Sequence, residues 1–210
     1  MDTLKPKECY RTLLAQKLIA EFARRQMEGF YCESKADAVT KVMEMIPKDS
    51  MVACGGSATL RELGLREALK IADYNFLDPD DAKGGPAKEK VAHRALSADY
   101  YLMSSNAISA TGELVNLDGI GNRVAALAFG PKYVIVIAGI NKVVPNLEAA
   151  ILRAKTYAAP HTLLLFNQAY SSFDELANDS EDAWSQLVIT SKSVFKGRIK
   201  IVLVGESLGF

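Results

Sequence analysis

The spacing of apolar residues predicts two helices near the start of the chain. Within residues 8–29, Leu14, Leu18 and Phe22 recur every four positions, which places them on one face of a helix that ends at a glycine. A second helix is predicted over residues 34–47, because Ser34 is followed three positions later by an acidic residue, as in a capping box, and a proline closes the segment. Each helix therefore has one apolar face to bury.

Short apolar runs further along the chain predict buried strands that alternate with helices. The predicted strands are residues 51–54, 75–77, 100–103, 112–119, 133–138 and 199–204, and the predicted helices between them are residues 58–64, 87–96, 122–129 and 146–159. Continuous β-branched runs are typical of parallel strands buried on both faces. We therefore predict an α/β fold with a largely parallel layered sheet flanked by helices and an N-terminal helical pair. One globular domain is expected, with residues 1–48 as a helical segment packed on an α/β core of residues 49–210.

Composition and charge narrow the class of protein. The chain has 210 residues with 25 basic and 25 acidic side chains, so there is no basic excess to neutralise nucleic-acid phosphates. No run approaches the ~20 apolar residues that span a bilayer, and residues 1–6 do not resemble a secretory signal. Three scattered cysteines and two histidines predict neither a disulfide framework nor a metal site. A soluble, cytoplasmic protein without a cofactor is expected.

The first candidate site follows the predicted strand at residues 51–54. Gly55 and Gly56 allow close backbone approach, and the hydroxyls of Ser57 and Thr59 come directly after them at a predicted helix start. Amides and hydroxyls that converge in this way suit a phosphate or a carboxylate. The simpler interpretation is a tight turn in which Ser57 caps its own helix.

A second candidate lies between two predicted strands. Asn106, Thr111 and Gly112 belong to a small, polar stretch that ends at Glu113, at a point where an open α/β sheet would bind a ligand. Glu113 could act there as a nucleophile or a base. The alternative is an exposed carboxylate at a strand edge.

Two cationic side chains complete the candidate site. Asn122 and Arg123 open the predicted helix after a glycine-rich turn, and a cation at that end opposes the helix dipole, which favours a ligand or an acidic partner such as Glu113 or Asp118. Lys142 follows the predicted central strand. There it could contact an anion or, if desolvated, become an amine of lowered pKa, but a solvated loop lysine is the simpler interpretation.

Taken in order, these segments resemble the LUD-domain family of lactate utilization proteins. The matching pieces are GGSATL at residues 55–60, Asp99, SNAI at 105–108, TGELVN at 111–116, DGIGNR at 118–123, GPK at 130–132, GINKVV at 139–144, AAP at 158–160 and GESLGF at 205–210. The resemblance implies a fold similar to that of ribose-5-phosphate isomerase and the CoA-transferases. Many similar short proteins carry a cysteine-rich stretch after the AAP segment, whereas this chain has no cysteine after Cys54 and cannot by itself supply the thiolates of an iron–sulfur cluster.

The resemblance implies a role beside iron–sulfur partner subunits that oxidise L-lactate to pyruvate. We therefore predict an accessory or anion-binding component of lactate utilization, with Glu113 as its candidate catalytic residue and a small phosphate- or carboxylate-type ligand. One alternative is a stand-alone enzyme in which Glu113 attacks an acyl-CoA or deprotonates a sugar phosphate. Another is a non-catalytic scaffold with a vestigial pocket. The size and apolar content are compatible with a homodimer.

Overall fold

The computed structural model describes residues 4–72, 74–166 and 169–210. Its strands are β1 (Glu28–Cys32), β2 (Met51–Cys54), β3 (Asn75–Leu77), β4 (Tyr100–Met103), β5 (Ala107–Ser109), β6 (Leu114–Asp118), β7 (Tyr133–Gly139), β8 (Val143–Val144), β9 (Gln186–Thr190) and β10 (Ile199–Val204). Its α-helices are α1 (Leu4–Arg24), α2 (Lys35–Met45), α3 (Ala58–Glu62), α4 (Leu65–Ile71), α5 (Gly85–Ala95), α6 (Asn122–Ala128), α7 (Leu147–Arg153), α8 (Ala159–Phe166) and α9 (Phe173–Asp182). Of the stretch at residues 1–6 considered above, residues 1–3 lie outside the described residues.

Six parallel strands form the main sheet. Their order is β1-β10-β7-β4-β2-β3, so the two long apolar strands, β7 and β10, lie side by side near the middle. Side chains alternate between the two faces. One face packs against α1, α5 and α6, and the other against α2, α3 and α4. The predicted α/β fold, with a largely parallel sheet flanked by helices, is confirmed.

A second, smaller sheet lies beside the first and has mixed strand directions. Its order is β8-β5-β6-β9, with β6 antiparallel to both of its neighbours. Residues of α7 and the turn after it pack against this sheet around Ala107 and Val115. Of these four strands, the sequence predicts only β6. β5 and β8 have three and two residues, and β9 lies in a part of the chain to which no element was assigned.

The N-terminal segment contributes a strand as well as two helices. Between α1 and α2 the chain forms β1, which pairs in parallel with β10 over residues 28–32. The sequence predicts a helix that ends at Gly29, but α1 already ends at Arg24, and Gln26 turns the chain with a φ of 59°. A Cβ on Gly29 would lie 2.9 Å from the ring of Phe22. The glycine is therefore required by the close approach of α1 to the sheet edge.

Pro160 does not end the helix that contains it. Helix α7 continues through a π turn at Ala154–Ala158 into α8, which runs to residue 166. A proline lacks an N–H group and collides with the carbonyl four positions earlier in a regular α-helix. The wider π turn changes the hydrogen-bonding pattern just before the proline, and the helix proceeds. The predicted stop at this position was wrong for that reason.

No helix in the described segments is both long enough and apolar enough to cross a bilayer.

Gly139, the last residue of β7, should not tolerate a side chain. A Cβ there would lie 2.6 Å from the amide nitrogen of Leu208 and 2.7 Å from the carbonyl oxygen of Glu206. We expect Gly139→Ala to lower the free energy of unfolding by about 1–3 kcal/mol, as overpacking does. The matched control is Gly56→Ala, where a Cβ meets nothing within 4 Å. Urea denaturation should separate the two variants, and equal losses would contradict the tight approach at Gly139.

Candidate functional site

The candidate site lies where three neighbouring strands end. β2, β4 and β7 are parallel neighbours, so the segments that follow them meet at one edge of the main sheet. From β2 the chain continues to β3 on one side, and it later returns to place β4 on the other side. Such a reversal of strand order opens a crevice at the carboxyl ends of the strands, where open α/β sheets bind ligands.

Lys142 lies buried at this edge. The residue ends a short 3-10 turn that follows β7, and it is only 3% exposed. The amine donates to the hydroxyl oxygens of Thr59 and Ser104, each at 3.0 Å. Burial lowers the pKa of Lys142 to about 7, and the nearby positive charges of Arg153 and Arg123 act in the same direction. The amine is therefore partly neutral near pH 7.

Arg123 uses all five of its N–H groups inside the protein. Its Nε donates to Asp118 at 3.2 Å, and its two terminal nitrogens make four further bonds. The acceptors of those four bonds are the carbonyl oxygens of Ser104 and Leu117 and the amide oxygens of Asn106 and Asn116. The guanidinium thereby fixes the segment after β4 against β6, and it contributes positive charge without a spare donor.

Arg153, which the sequence analysis missed, completes the cationic cluster. It projects from the end of α7, donates to the carbonyl oxygen of Asn106, and lies 4.9 Å from the ring centroid of Tyr157. Together, Lys142, Arg123 and Arg153 form what we call the cationic cluster. Among the described residues, the only carboxylate hydrogen-bonded to it is that of Asp118. Even with Glu62, whose exposed carboxylate acts on Lys142 from the rim, the buried and half-buried side chains of the cluster carry more positive than negative charge.

The end of the chain covers the amine of Lys142. Gly209 has a φ of 52°, and a Cβ there would lie 2.6 Å from the Thr59 hydroxyl and 3.4 Å from the Lys142 amine. The side chain of Asn141 holds this segment with two hydrogen bonds. Its Oδ1 accepts from the amide of Leu208 at 3.0 Å, and its Nδ2 donates to the carbonyl oxygen of Gly209 at 3.2 Å. We call residues 208–210 the covering segment.

The glycine-rich turn after β2 borders the cluster on its other side. A Cβ on Gly55 would lie 2.8 Å from the Tyr101 hydroxyl and 3.7 Å from the side chain of Arg123, so the turn packs directly on that arginine. Gly56 faces open space. Ser57 caps α3 by accepting from the amide of Leu60 at 3.3 Å, the simpler role considered for it above.

A separate group forms around Arg25. Its guanidinium donates to the carboxylate of Glu113, and to the carbonyls of Thr111 at 2.8 Å and Ser191 at 2.6 Å. The same carboxylate accepts from the hydroxyls of Ser109 and Thr111. Burial acts to raise the pKa of Glu113, but the two hydroxyls and the charge of Arg25 hold it below its ordinary value.

The structure thus divides the predicted residues between two places. Two of them, Arg123 and Lys142, belong to the cationic cluster. Two others, Thr59 and Asn106, are hydrogen-bonded to it. Gly112 belongs with Thr111 and Glu113, since a Cβ on it would lie 3.0 Å from Nε of Arg25. Asn122 begins α6 beside Arg123.

Glu113→Gln should destabilise the protein. The neutral amide leaves Arg25 without its charge partner, and we expect a loss of about 1–3 kcal/mol at pH 7. Because the folded pKa is lowered, the stabilisation is complete above the ordinary glutamate value and is lost as the pH falls through the folded pKa, so the difference should shrink below about pH 4. Denaturation at pH 3.5 and 7 measures this difference.

Glu89→Gln, at an exposed position of α5, is the control for Glu113→Gln and should change stability by less than about 0.5 kcal/mol. Equal stability of Glu113→Gln and the wild type at pH 7 would contradict the tethering role. The catalytic role assigned to Glu113 above stays a prediction. Turnover of an acyl-CoA or a pentose phosphate by the wild type and not by Glu113→Gln would support it.

Comparisons with known proteins agree with the architecture. The LUD domain family model matches residues 15–204. A crystal structure of a DUF162 family protein from Deinococcus radiodurans is similar over 93% of this chain and 98% of that one, with a TM-score of 0.57 and 12% sequence identity. That likeness concerns the fold alone. No curated protein matches the sequence.

The family match extends over nearly the whole chain, and it includes every residue of the cationic cluster and of the glycine-rich turn. The protein therefore belongs to the LUD-domain family.

Proposed function

We propose that this LUD-domain protein binds a small anion at the cationic cluster, as a component of a lactate utilization system. Membership of the family relates the chain to lactate utilization at the level of the family. Iron–sulfur partner subunits, a homodimer and a cytoplasmic location belong to this proposal. Copurification with such partners and the mass of the purified protein in solution would test the first two.

One observation carries the proposal, namely the unbalanced positive charge below the surface. Lys142 is 3% exposed and donates its hydrogen bonds to the neutral hydroxyls of Thr59 and Ser104, while Arg153 donates to a backbone carbonyl. Burying a charge without a counter-charge is costly, and groups in that situation gather at functional sites. A phosphate or carboxylate next to Lys142 and Arg153 would supply the missing negative charge.

A buried donor beside the cluster supports the same conclusion. The amide oxygen of Asn116 accepts from Arg123 at 2.7 Å, but its Nδ2 has no hydrogen-bond partner among the residues described. Asn116 is completely buried. Buried donors are nearly always paired, so an unpaired one next to a cation is consistent with a site for an additional acceptor.

Thermal unfolding in the presence of anions tests the proposal. Phosphate, lactate and pyruvate should each raise the melting temperature if they bind. The control is sodium chloride at the same ionic strength. At about 100 times the Kd the gain is about 2.7 kcal/mol. Arg153→Leu should abolish the gain, whereas Arg94→Leu, on the exposed side of α5, should keep it. If no anion stabilises the wild type beyond the salt control, the proposal fails.

A further inference from the structure

The hydrogen bonds of Lys142 leave its nitrogen lone pair available. A neutral amine has two N–H groups and one lone pair. The two bonds of Lys142 go to the oxygens of Thr59 and Ser104, which together use both N–H groups. Gly209 lies against the amine: a Cβ on this residue would be 3.4 Å from the nitrogen, and the glycine leaves that place without a side chain.

Arginines supply the positive charge at this place. A lysine whose only task is to attract an anion works best as an ammonium ion, yet two guanidinium groups lie near this one and disfavour its protonation. Guanidinium groups remain charged in proteins, so Arg153 can hold an anionic group whether or not Lys142 is protonated. The arrangement separates anion binding, by arginine, from the chemistry of an uncharged amine.

We propose that Lys142 condenses with the carbonyl group of a small anionic aldehyde or ketone bound at the cationic cluster. This inference rests on the proposed function, because it names the class of anion. The amine nitrogen attacks the carbonyl carbon, and the carbonyl oxygen takes a proton to give a carbinolamine. The hydroxyl then leaves as water, and a C=N bond joins the ligand to Lys142. One amine and one carbonyl give one imine and one water, with no oxidant or reductant.

The hydroxyls around the amine suit this step. Ser104 and Thr59 lie within hydrogen-bond distance of each other, at 3.3 Å, as well as of Lys142. They can accept a proton from the attacking nitrogen and return it to the departing oxygen. The ligand must displace the covering segment to reach the amine, which requires the two hydrogen bonds of Asn141 to that segment to break.

Reduction with cyanoborohydride, followed by peptide mass spectrometry, tests the inference on the whole protein. Glyoxylate provides the carboxylate form of the ligand, glycolaldehyde phosphate the phosphate form, and propanal an uncharged control. At pH 7 an anionic carbonyl should label Lys142 more than Lys17, an exposed lysine of α1, by more than about tenfold. Relative to Lys17, propanal should label Lys142 at least about tenfold less than the anionic compounds do, because it carries no charge for Arg153 to hold.

The two anionic compounds also identify the group that the cluster prefers. Asn141→Ala, which loosens the covering segment, should speed the labelling of Lys142 and leave that of Lys17 unchanged. Because the adduct is located in the wild-type protein, the result does not depend on whether a Lys142 variant folds.

Anion stabilisation without preferential labelling of Lys142, in both the wild type and Asn141→Ala, would overturn this inference and leave the proposed function standing. Failure of both measurements would overturn both. Labelling of Lys142 by propanal as fast as by the anionic compounds would also overturn it, since the cluster would then have no part in the reaction.

Discussion

At pH 6, Lys142→Met should be more stable than the wild type by about 1–4 kcal/mol. The folded protein holds a buried ammonium among two guanidinium groups, and only Glu62, at the rim, acts in the opposite direction. Methionine has a similar length and carries no charge. Its loss of two hydrogen bonds is limited, because the Thr59 hydroxyl still bonds that of Ser104 at 3.3 Å.

The gain should disappear as the pH rises. In the folded state the pKa of Lys142 is about 7, and in the unfolded chain it takes the ordinary value of about 10.4. Below pH 7 both states are protonated and the wild type bears the whole cost of the buried charge. Between the two values the unfolded chain binds more protons, so the stability of the wild type increases with pH and approaches that of the variant.

Urea denaturation of both proteins at pH 6, 7.5 and 9 measures this trend. Lys17→Met, at an exposed site of α1, is the matched control and should stay within about 0.5 kcal/mol of the wild type at each pH. A variant that is no more stable than the wild type at pH 6 would show that the ammonium is compensated in the folded protein. Lys142 would then add no unbalanced charge to the anion site, which would depend on Arg153 alone.

The sequence predicts the strands of the main sheet well where the chain is buried on both faces. The runs that form β7 and β10 are continuous, apolar and rich in β-branched residues, a pattern typical of parallel strands buried on both faces. β5 and β1 were missed because three to five residues with small or mixed side chains carry no period, and only pairing with β6 and β10 makes them strands.

The candidate site was predictable only in part, because one of its residues reaches it through a contact between distant parts of the chain. Lys142 and Arg123 stand out because each occupies a strand end or a helix start, where a position in the fold can be inferred from sequence. Arg153 lies within a predicted helix and resembles any solvated arginine. It joins the cluster because α7 packs beside the segment after β4 and brings its guanidinium to Asn106, a contact 47 positions apart in sequence.

Arg123→Ala should be among the most destabilising single changes outside the apolar core. The substitution removes five hydrogen bonds at once. It also leaves Asp118, whose side chain is 7% exposed, as a buried carboxylate without its cation. Removing one partner of a buried ion pair costs about 3–5 kcal/mol, and we expect the loss here to fall in that range.

Replacement by lysine separates the charge of Arg123 from its geometry. Arg123→Lys keeps a positive charge near Asp118 but cannot reach four further acceptors in fixed directions, so it should recover less than half of the loss. Arg94→Ala, on the exposed side of α5, should cost less than about 1 kcal/mol. Chemical denaturation at pH 7 compares the three variants. If Arg123→Ala proves as stable as Arg94→Ala, the guanidinium does not organise the strand ends.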